Sequence, residues 1–148
     1  MPNSKISILI KKSSLVFDKL SNQLLTPYDL TGSQFKILML LYRSPVGSIR
    51  QADIEAKFSM TNPTVTGLVQ KLEAKQLVRR IPHPDDRRSR VLVPTERALS
   101  MKDELFRLAE RLEAQLTTNL TADEADKLSS LLTKMLEIDL GGNHYDRT

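Results

Sequence analysis

The fold is decided by residues 62–95, which read NPTVTGLVQKLEAKQLVRRIPHPDDRRSRVLVPT. Asn62 is a favoured helix N-cap and Pro63 suits the first helical position, so a helix is predicted to begin there. Apolar residues follow at spacings of three and four, which predicts one buried helix face. These residues are Val65, Leu68 and Leu72. The polar residues between them would lie on the exposed faces.

Two short apolar segments flank a basic tip later in the same stretch. Residues 77–81 and 91–93 are predicted to be the strands of a β-hairpin, with residues 84–90 as its tip. Between residues 71 and 90, seven basic and three acidic side chains give a net charge of +4, equal to that of the whole chain. A helix followed by a basic hairpin, on an otherwise balanced body, indicates a surface for duplex DNA.

The residues before position 62 carry further helix signals. A helical stripe runs from residue 5 to 25 and is ended by Pro27. Two capping boxes, residues 31–34 and 48–51, are predicted to open the next two helices. The second of these helices is short and directly precedes the helix predicted at Asn62. Together they form a helix-turn-helix pattern.

The C-terminal third is helical and acidic. A leucine seam is predicted to form one long helix, and a third capping box, Thr121–Glu124, opens a last helix that Gly141-Gly142 stops. The seam consists of Leu105, Leu108, Leu112, Leu116 and Leu120. From residue 103 to 148 there are ten acidic and five basic residues, so this part should face away from DNA. The terminal helices carry more apolar surface than a small central domain covers, which predicts a homodimer.

These patterns predict a mainly α protein, an α+β winged helix, with two regions. Residues 31–98 would form the DNA-binding lobe, and residues 1–30 with 99–148 the helical dimerisation region. The 148 residues include no cysteine, so disulfides and thiol chemistry are excluded. The N-terminal apolar run, Ile8–Ile10, is too short for a signal peptide or a membrane span, so we expect a cytoplasmic protein without membrane contact.

The order of elements resembles the MarR family of winged-helix transcription factors. The residues that carry the resemblance are Leu30-Thr31-x-x-Gln34-Phe35, residues 62–73 and the hairpin tip, residues 84–90. The resemblance implies a homodimer in which each subunit binds one half of a pseudo-palindromic operator. It also implies a repressor that a small phenolic or anionic effector releases from DNA.

The resemblance makes the helix at Asn62 the recognition helix. Asp86 and Arg88 match the family's Asp-x-Arg pair, in which the aspartate braces the wing and the arginine enters the minor groove. Gly67 stands where relatives often carry a basic residue. From the residues themselves, threonine and glutamine side chains at helical spacing suit base edges in the major groove. The expected DNA-binding residues are Asn62, Thr64, Thr66, Gln70, Lys71, Arg87, Arg88 and Arg90.

Other functions remain open from sequence. A ligand-independent activator or architectural DNA-binding protein fits the same motifs, as does a dimeric adaptor whose basic hairpin binds an acidic protein. We expect no enzyme, cofactor or metal, since no nucleophile arrangement or phosphate loop is present and His83 and His144 are not spaced as metal ligands. The effector site is not defined by sequence. Four aromatic residues are either core or effector-pocket candidates, namely Phe17, Tyr28, Tyr42 and Phe106.

Overall fold

The computed structural model describes residues 5–138 of the chain. In chain order the elements are α1 (Ile6–Leu25), a 3-10 turn (Thr26–Tyr28), α2 (Gly32–Arg43), α3 (Gln51–Phe58), α4 (Asn62–Ala74), β1 (Val78–Pro82), β2 (Arg90–Pro94), α5 (Glu96–Ser100), α6 (Lys102–Leu116) and α7 (Ala122–Met135). This is the mainly helical winged-helix architecture that the sequence predicts. The stop expected at Gly141-Gly142, and His144, lie outside the described residues.

Two of the three predicted capping boxes are confirmed. At the start of α2, Thr31 N donates to Gln34 Oε1 at 3.2 Å and Gln34 N donates to Thr31 Oγ1 at 3.2 Å. At the start of α7, Thr121 N donates to Glu124 Oε1 at 2.9 Å and Glu124 N donates to Thr121 Oγ1 at 3.2 Å. Each box satisfies two backbone amides that have no partner within the helix.

The predicted box at residues 48–51 is wrong. Ser48 Oγ donates to the Pro45 carbonyl at 2.6 Å, so its hydroxyl is used within the preceding turn. Helix α3 begins instead at Gln51, and Arg50 N donates to Asp53 Oδ2 at 2.8 Å. The aspartate supplies half of a box, because the arginine side chain at the cap position cannot accept a hydrogen bond.

The prediction that Asn62 is the N-cap of α4 is also wrong. The cap is Thr61, whose extended backbone places its hydroxyl to accept from Thr64 N at 3.4 Å. Asn62 is therefore the first helical residue and Pro63 the second. The second position tolerates proline as well, because its amide would have no helical partner.

The wing, residues 78–94, is the predicted hairpin, with the first strand shifted by one residue and the second longer by one residue at each end. The strands pair antiparallel from Val78 opposite Pro94 to Pro82 opposite Arg90. Residues 49–50 extend the ladder on the other side of β2, since Leu92 N donates to the Ile49 carbonyl at 2.8 Å and Arg50 pairs with Val91. The wing is thus attached to the residues that open α3.

A single core lies between α1, α2, α4, the wing and α6. On α4 the buried residues are Val65, Val69 and Leu72, whereas Leu68, predicted to be buried, is half-exposed. Helix α6 buries the first three leucines of its seam but ends at Leu116, so Leu120 belongs to the following turn and not to the same helix.

The terminal helices expose apolar side chains along their length. On α1 these are Ile6, Ile8, Leu9, Ile10, Leu15, Val16 and Phe17, and on α7 they are Leu128, Leu131 and Leu132. Helix α7 has no buried residue. No helix within residues 5–138 is both long enough and apolar enough to cross a bilayer.

Candidate nucleic-acid interface

Helix α4 presents a polar face to solvent. Asn62, Thr64, Gln70 and Lys71 are exposed on it. Gly67 leaves open space beside them, because a Cβ added there would meet no heavy atom within 4 Å. At the start of the helix the Thr61 hydroxyl takes the Thr64 amide and Pro63 has no N–H, which leaves the Asn62 amide of the first turn for a phosphate. The face is therefore accessible to a groove of DNA.

Thr66 differs from the other α4 candidates. It is half-buried, and Gln51 Nε2 at the start of α3 donates to Thr66 Oγ1 at 2.7 Å. This contact joins the two helices of the helix-turn-helix through side chains. Sequence reasoning missed Gln51, because the contact joins residues on different helices and the wrong box assigned Gln51 to capping.

The wing turn is organised around Asp86. Its Oδ1 accepts from Arg88 N at 3.0 Å and its Oδ2 accepts from Ser89 Oγ at 3.0 Å. The Arg88 amide and the Ser89 hydroxyl lower the pKa of the Asp86 carboxyl, and the nearby charge of Arg50 lowers it further. The carboxylate thus holds the backbone at the residue whose side chain is the candidate for the minor groove.

The three arginines of the tip project into solvent. Arg87, Arg88 and Arg90 are all exposed. His83 lies at the base of the tip, where its backbone N donates to the Ser89 carbonyl at 2.9 Å and its Nδ1 accepts from Asp85 N at 3.0 Å. The sequence assigned no role to His83, whereas its ring takes part in the turn.

Arg50 connects the wing to the helix-turn-helix and was not among the predicted residues. It is exposed, pairs with Val91 of β2, and lies close enough to Asp86 to lower that carboxyl's pKa. The next residue, Gln51, contacts Thr66 of α4. A continuous series of neighbours therefore runs from the wing tip through the start of α3 to α4. The position of a basic residue directly before the first helix of the helix-turn-helix was the available sequence signal.

Not all the basic side chains of residues 62–95 contribute to the surface formed by α4 and the wing. Arg80 Nε lies 2.9 Å from Glu73 Oε1, which pairs α4 with β1. Lys75 Nζ donates to Gln34 Oε1 at 2.9 Å, which turns it toward the start of α2. The exposed charge of this stretch therefore lies on Lys71, Arg79 and the wing tip, with Arg50 added.

A crevice of about 480 Å³ lies between α2, α3 and α6, and we call it the α2–α3–α6 crevice. Its walls are mostly apolar, with three cations, Lys36, Arg43 and Lys57, and no carboxylate among the lining residues. Lys36 Nζ lies 5.8 Å from the centre of the Phe58 ring. Volume and lining both fall in the range of small-molecule sites.

The four aromatic candidates do not form one pocket. Tyr42 and Phe106 pack edge to face at 5.9 Å against the core, and the Tyr42 hydroxyl donates to the Ala98 carbonyl. Tyr28 donates to Glu104 Oε1 at 2.7 Å. Phe17 lines a second cavity of about 410 Å³ between α1, α2 and α6. Tyr42 is thus a core residue, and Phe106 is half-buried against the core.

Comparison with known proteins gives a consistent result. The MarR family profile matches residues 30–89. The multiple antibiotic resistance protein MarR of Escherichia coli is 32% identical over 120 residues, which cover 80% of this chain and 82% of the relative. The HTH-type transcriptional repressor NicR of Pseudomonas putida is 30% identical, with 74% and 68% of the two chains covered.

A solved structure of a mutant MarR from E. coli complexed with operator DNA has a TM-score of 0.79 to this chain. Its sequence is 30% identical, and the match covers 88% of this chain and 93% of that chain. This protein is therefore a member of the MarR family.

Proposed function

We propose that this protein is a sequence-specific transcriptional regulator, a repressor that binds a pseudo-palindromic operator as a homodimer. The observation that carries the proposal is that residues 49–51 join the wing to α4. Leu92 N donates to the Ile49 carbonyl, Arg50 pairs with Val91, and Gln51 Nε2 donates to Thr66 Oγ1. These contacts fix the basic wing and the polar face of α4 in one connected surface. The likeness to a MarR bound to operator DNA and to the repressor NicR supports the same function.

In this proposal α4 enters the major groove. Gln70 can pair bidentately with adenine, and Thr64 can reach a base edge or a thymine methyl. Asn62, at the start of the helix, and Lys71 are placed for phosphates. Gly67 removes one side chain from the centre of the helix, so readout depends on the residues on either side of it.

The wing acts in the neighbouring minor groove. Arg88 enters the groove, where narrow A·T segments concentrate negative potential, and Arg87 and Arg90 contact phosphates. Asp86 fixes the backbone at Arg88 and so limits the entropy that the loop loses on binding. These contacts add affinity that depends strongly on salt concentration.

Dimerisation supplies the second half-site. We propose that residues 31–98 form the DNA-binding lobe and that residues 1–30 with 99–148 form the dimerisation region. The exposed apolar residues of α1 and α7 support this division, because a monomer in water would leave both faces uncovered. The acidic C-terminal part keeps the dimerisation region away from phosphates.

The α2–α3–α6 crevice is the proposed site for a small effector. Its three cations and its lack of a lining carboxylate favour an anionic or phenolic compound on an apolar scaffold. Because α3 forms one wall and also contacts α4, a ligand there would alter the position of the recognition helix. A regulator of this kind acts in the cytoplasm and needs no catalytic group or cofactor.

Footprinting on the DNA that flanks the protein's own gene tests the proposal. We expect a protected site with two related half-sites, bound more tightly than a scrambled duplex at moderate ionic strength. Half-site centres should lie about 10 base pairs or a multiple of that apart. A chain that binds all duplexes equally would instead be the architectural DNA-binding protein described above, and one that binds an acidic protein and no DNA would be the adaptor.

A further inference from the structure

Gln51 occupies the first position of α3 and is half-buried between the two helices of the helix-turn-helix. Its Nε2 donates to Thr66 Oγ1 at 2.7 Å. The contact joins a residue beside the wing to a residue on the recognition helix. It therefore lies where a change in side-chain chemistry can alter what α4 presents to DNA.

The contact with Gln51 uses one lone pair of the Thr66 hydroxyl oxygen. A threonine hydroxyl has one proton to donate and two lone pairs that accept. The amide of Gln51 takes a lone pair, so the hydroxyl proton remains to be donated elsewhere. Several helical hydroxyls of this protein donate to the carbonyl four residues earlier, as Thr133 does to Ser129 at 2.8 Å. Within residues 5–138, Thr66 makes no such bond, and its proton has no protein acceptor.

We propose that Gln51 is a positioning residue for specificity, which makes Thr66 a hydrogen-bond donor toward the operator. A donor at this point favours a base that presents an acceptor in the major groove, such as guanine O6 or N7 or thymine O4. It disfavours the amino groups of cytosine and adenine. The inference rests on the proposed function, since it assigns a role only to a protein that reads DNA.

Gln51→Met is the first test variant, because methionine has similar length and no amide. Once an operator is defined, binding is measured on a series of duplexes in which each base pair of the half-site is changed in turn. Gln51→Met should reduce discrimination at one base pair by ~3-fold to ~10-fold, the range of one net hydrogen bond. Discrimination at the other positions should stay as in the wild type. If Gln51→Met does not fold, Gln51→Ala is measured in its place.

Thr66→Val tests whether Gln51 acts on the DNA through the Thr66 hydroxyl or by itself. It keeps the shape of the side chain and removes the hydroxyl, so it should abolish discrimination at the same base pair. The double variant should then behave as Thr66→Val alone, because Gln51 acts through the hydroxyl. A purely structural Gln51 would add its own loss to the double variant and would weaken all duplexes alike.

Gln51→Glu should invert the preference. A carboxylate only accepts, so it would take the Thr66 proton and leave lone pairs facing the DNA, which favours cytosine or adenine at that base pair. The added charge lowers affinity for every duplex, so the readout is the ratio between duplexes. Gln115→Glu, exposed on α6, is the matched control and should leave all ratios unchanged.

An unchanged profile for all Gln51 variants, or additive losses in the double variant, would overturn the inference. That failure differs from failure of the proposed function. In the first case the wild type still prefers its operator and only the role of Gln51 is lost. In the second case the wild type itself shows no preference among duplexes.

Discussion

Lys75 Nζ lies 2.9 Å from Gln34 Oε1, which joins the end of α4 to the start of α2. Gln34 is 2% exposed, and the same oxygen also accepts from Thr31 N in the capping box. Lys75 donates in addition to the carbonyl of Asp29, at the junction between α1 and α2. One ammonium group thus holds α4 against the segment that joins α1 to α2.

Replacing Lys75 should therefore destabilise the fold. In Lys75→Met the Gln34 oxygen loses a charge-assisted partner, and we expect the free energy of unfolding to fall by about 1–2 kcal/mol. Urea denaturation measures the change. Lys71→Met, one turn earlier and exposed, should alter stability by less than about 0.5 kcal/mol. Equal effects of the two substitutions would show that the bridge contributes nothing.

Ionisation of Tyr42 should lower the stability of the folded protein at alkaline pH. Burial raises the pKa of Tyr42 from 10.0 to about 12, and its hydroxyl donates to the Ala98 carbonyl at 2.5 Å. Because the pKa is raised in the folded state, this contribution is complete below pH 10.0 and is lost as pH rises toward about 12. Between these two pH values, ionisation of Tyr42 should lower the free energy of unfolding of the wild type by about 1.4 kcal/mol per pH unit.

Tyr42→Phe isolates the effect, because the other tyrosines are unchanged. At pH 7 the variant should be less stable by about 1–2 kcal/mol, since the buried Ala98 carbonyl loses its partner. The difference in the free energy of unfolding between the wild type and Tyr42→Phe should narrow above pH 10. A gap that stays constant to pH 12 would contradict the assigned cause. Urea denaturation of both proteins across this pH range provides the measurement.

Asp86 should control the order of the wing. Asp86→Asn keeps one acceptor for Arg88 N but loses the acceptor for Ser89 Oγ. We expect operator affinity to fall ~3-fold to ~10-fold, about the cost of one net hydrogen bond. The neighbouring Asp85→Asn is the matched control and should have little effect. Similar losses in both variants would indicate a general charge effect.

Protonation of the Asp86 carboxylate should weaken the hydrogen bonds of the wing turn at acid pH. Its pKa is lowered from 3.8, so its contribution is complete above that value and disappears as pH falls through the lower folded pKa. The amide resonance of Arg88 should therefore titrate below pH 3.8 in an NMR experiment. A midpoint above 3.8 would mean that the hydrogen bonds do not stabilise the charged form.

Arg88 should account for part of the salt dependence of binding. Each lost phosphate-region contact lowers the slope of log affinity against log salt by about one unit, so Arg88→Ala should flatten it by about one unit per subunit. Arg111→Ala, on the acidic helix α6, provides the control and should leave the slope unchanged. Fluorescence anisotropy over a salt series measures both. An unaltered slope in Arg88→Ala would place that side chain off the DNA.

Local signals in the sequence predicted most of the fold. The Thr31–Gln34 and Thr121–Glu124 boxes are correct because each uses residues three apart that need no tertiary partner. Asn62 failed as a cap because Thr61, directly before it, competes for the same amides. At residues 48–51 the pattern matched but Asp53 offered a better acceptor to Arg50.

The candidate site was less predictable than the fold. Exposure of Thr64, Gln70 and the tip arginines follows from helical spacing and from the turn. The contact of Gln51 with Thr66 and the approach of Arg50 to Asp86 arise from packing between separate elements, which periodicity does not encode. The burial of Val69 in place of Leu68 likewise depends on how α4 rotates against the core.

Methylation footprinting with dimethyl sulfate tests most directly whether α4 and the wing grip one duplex. The reagent reports guanine N7 in the major groove and adenine N3 in the minor groove. Wild type should protect both. Arg88→Ala should lose N3 protection and keep N7 protection, whereas Gln70→Ala should keep N3 protection and reduce N7 protection only at guanines beside the adenine that Gln70 contacts. Protection in one groove alone, or identical patterns for the two variants, would contradict the account.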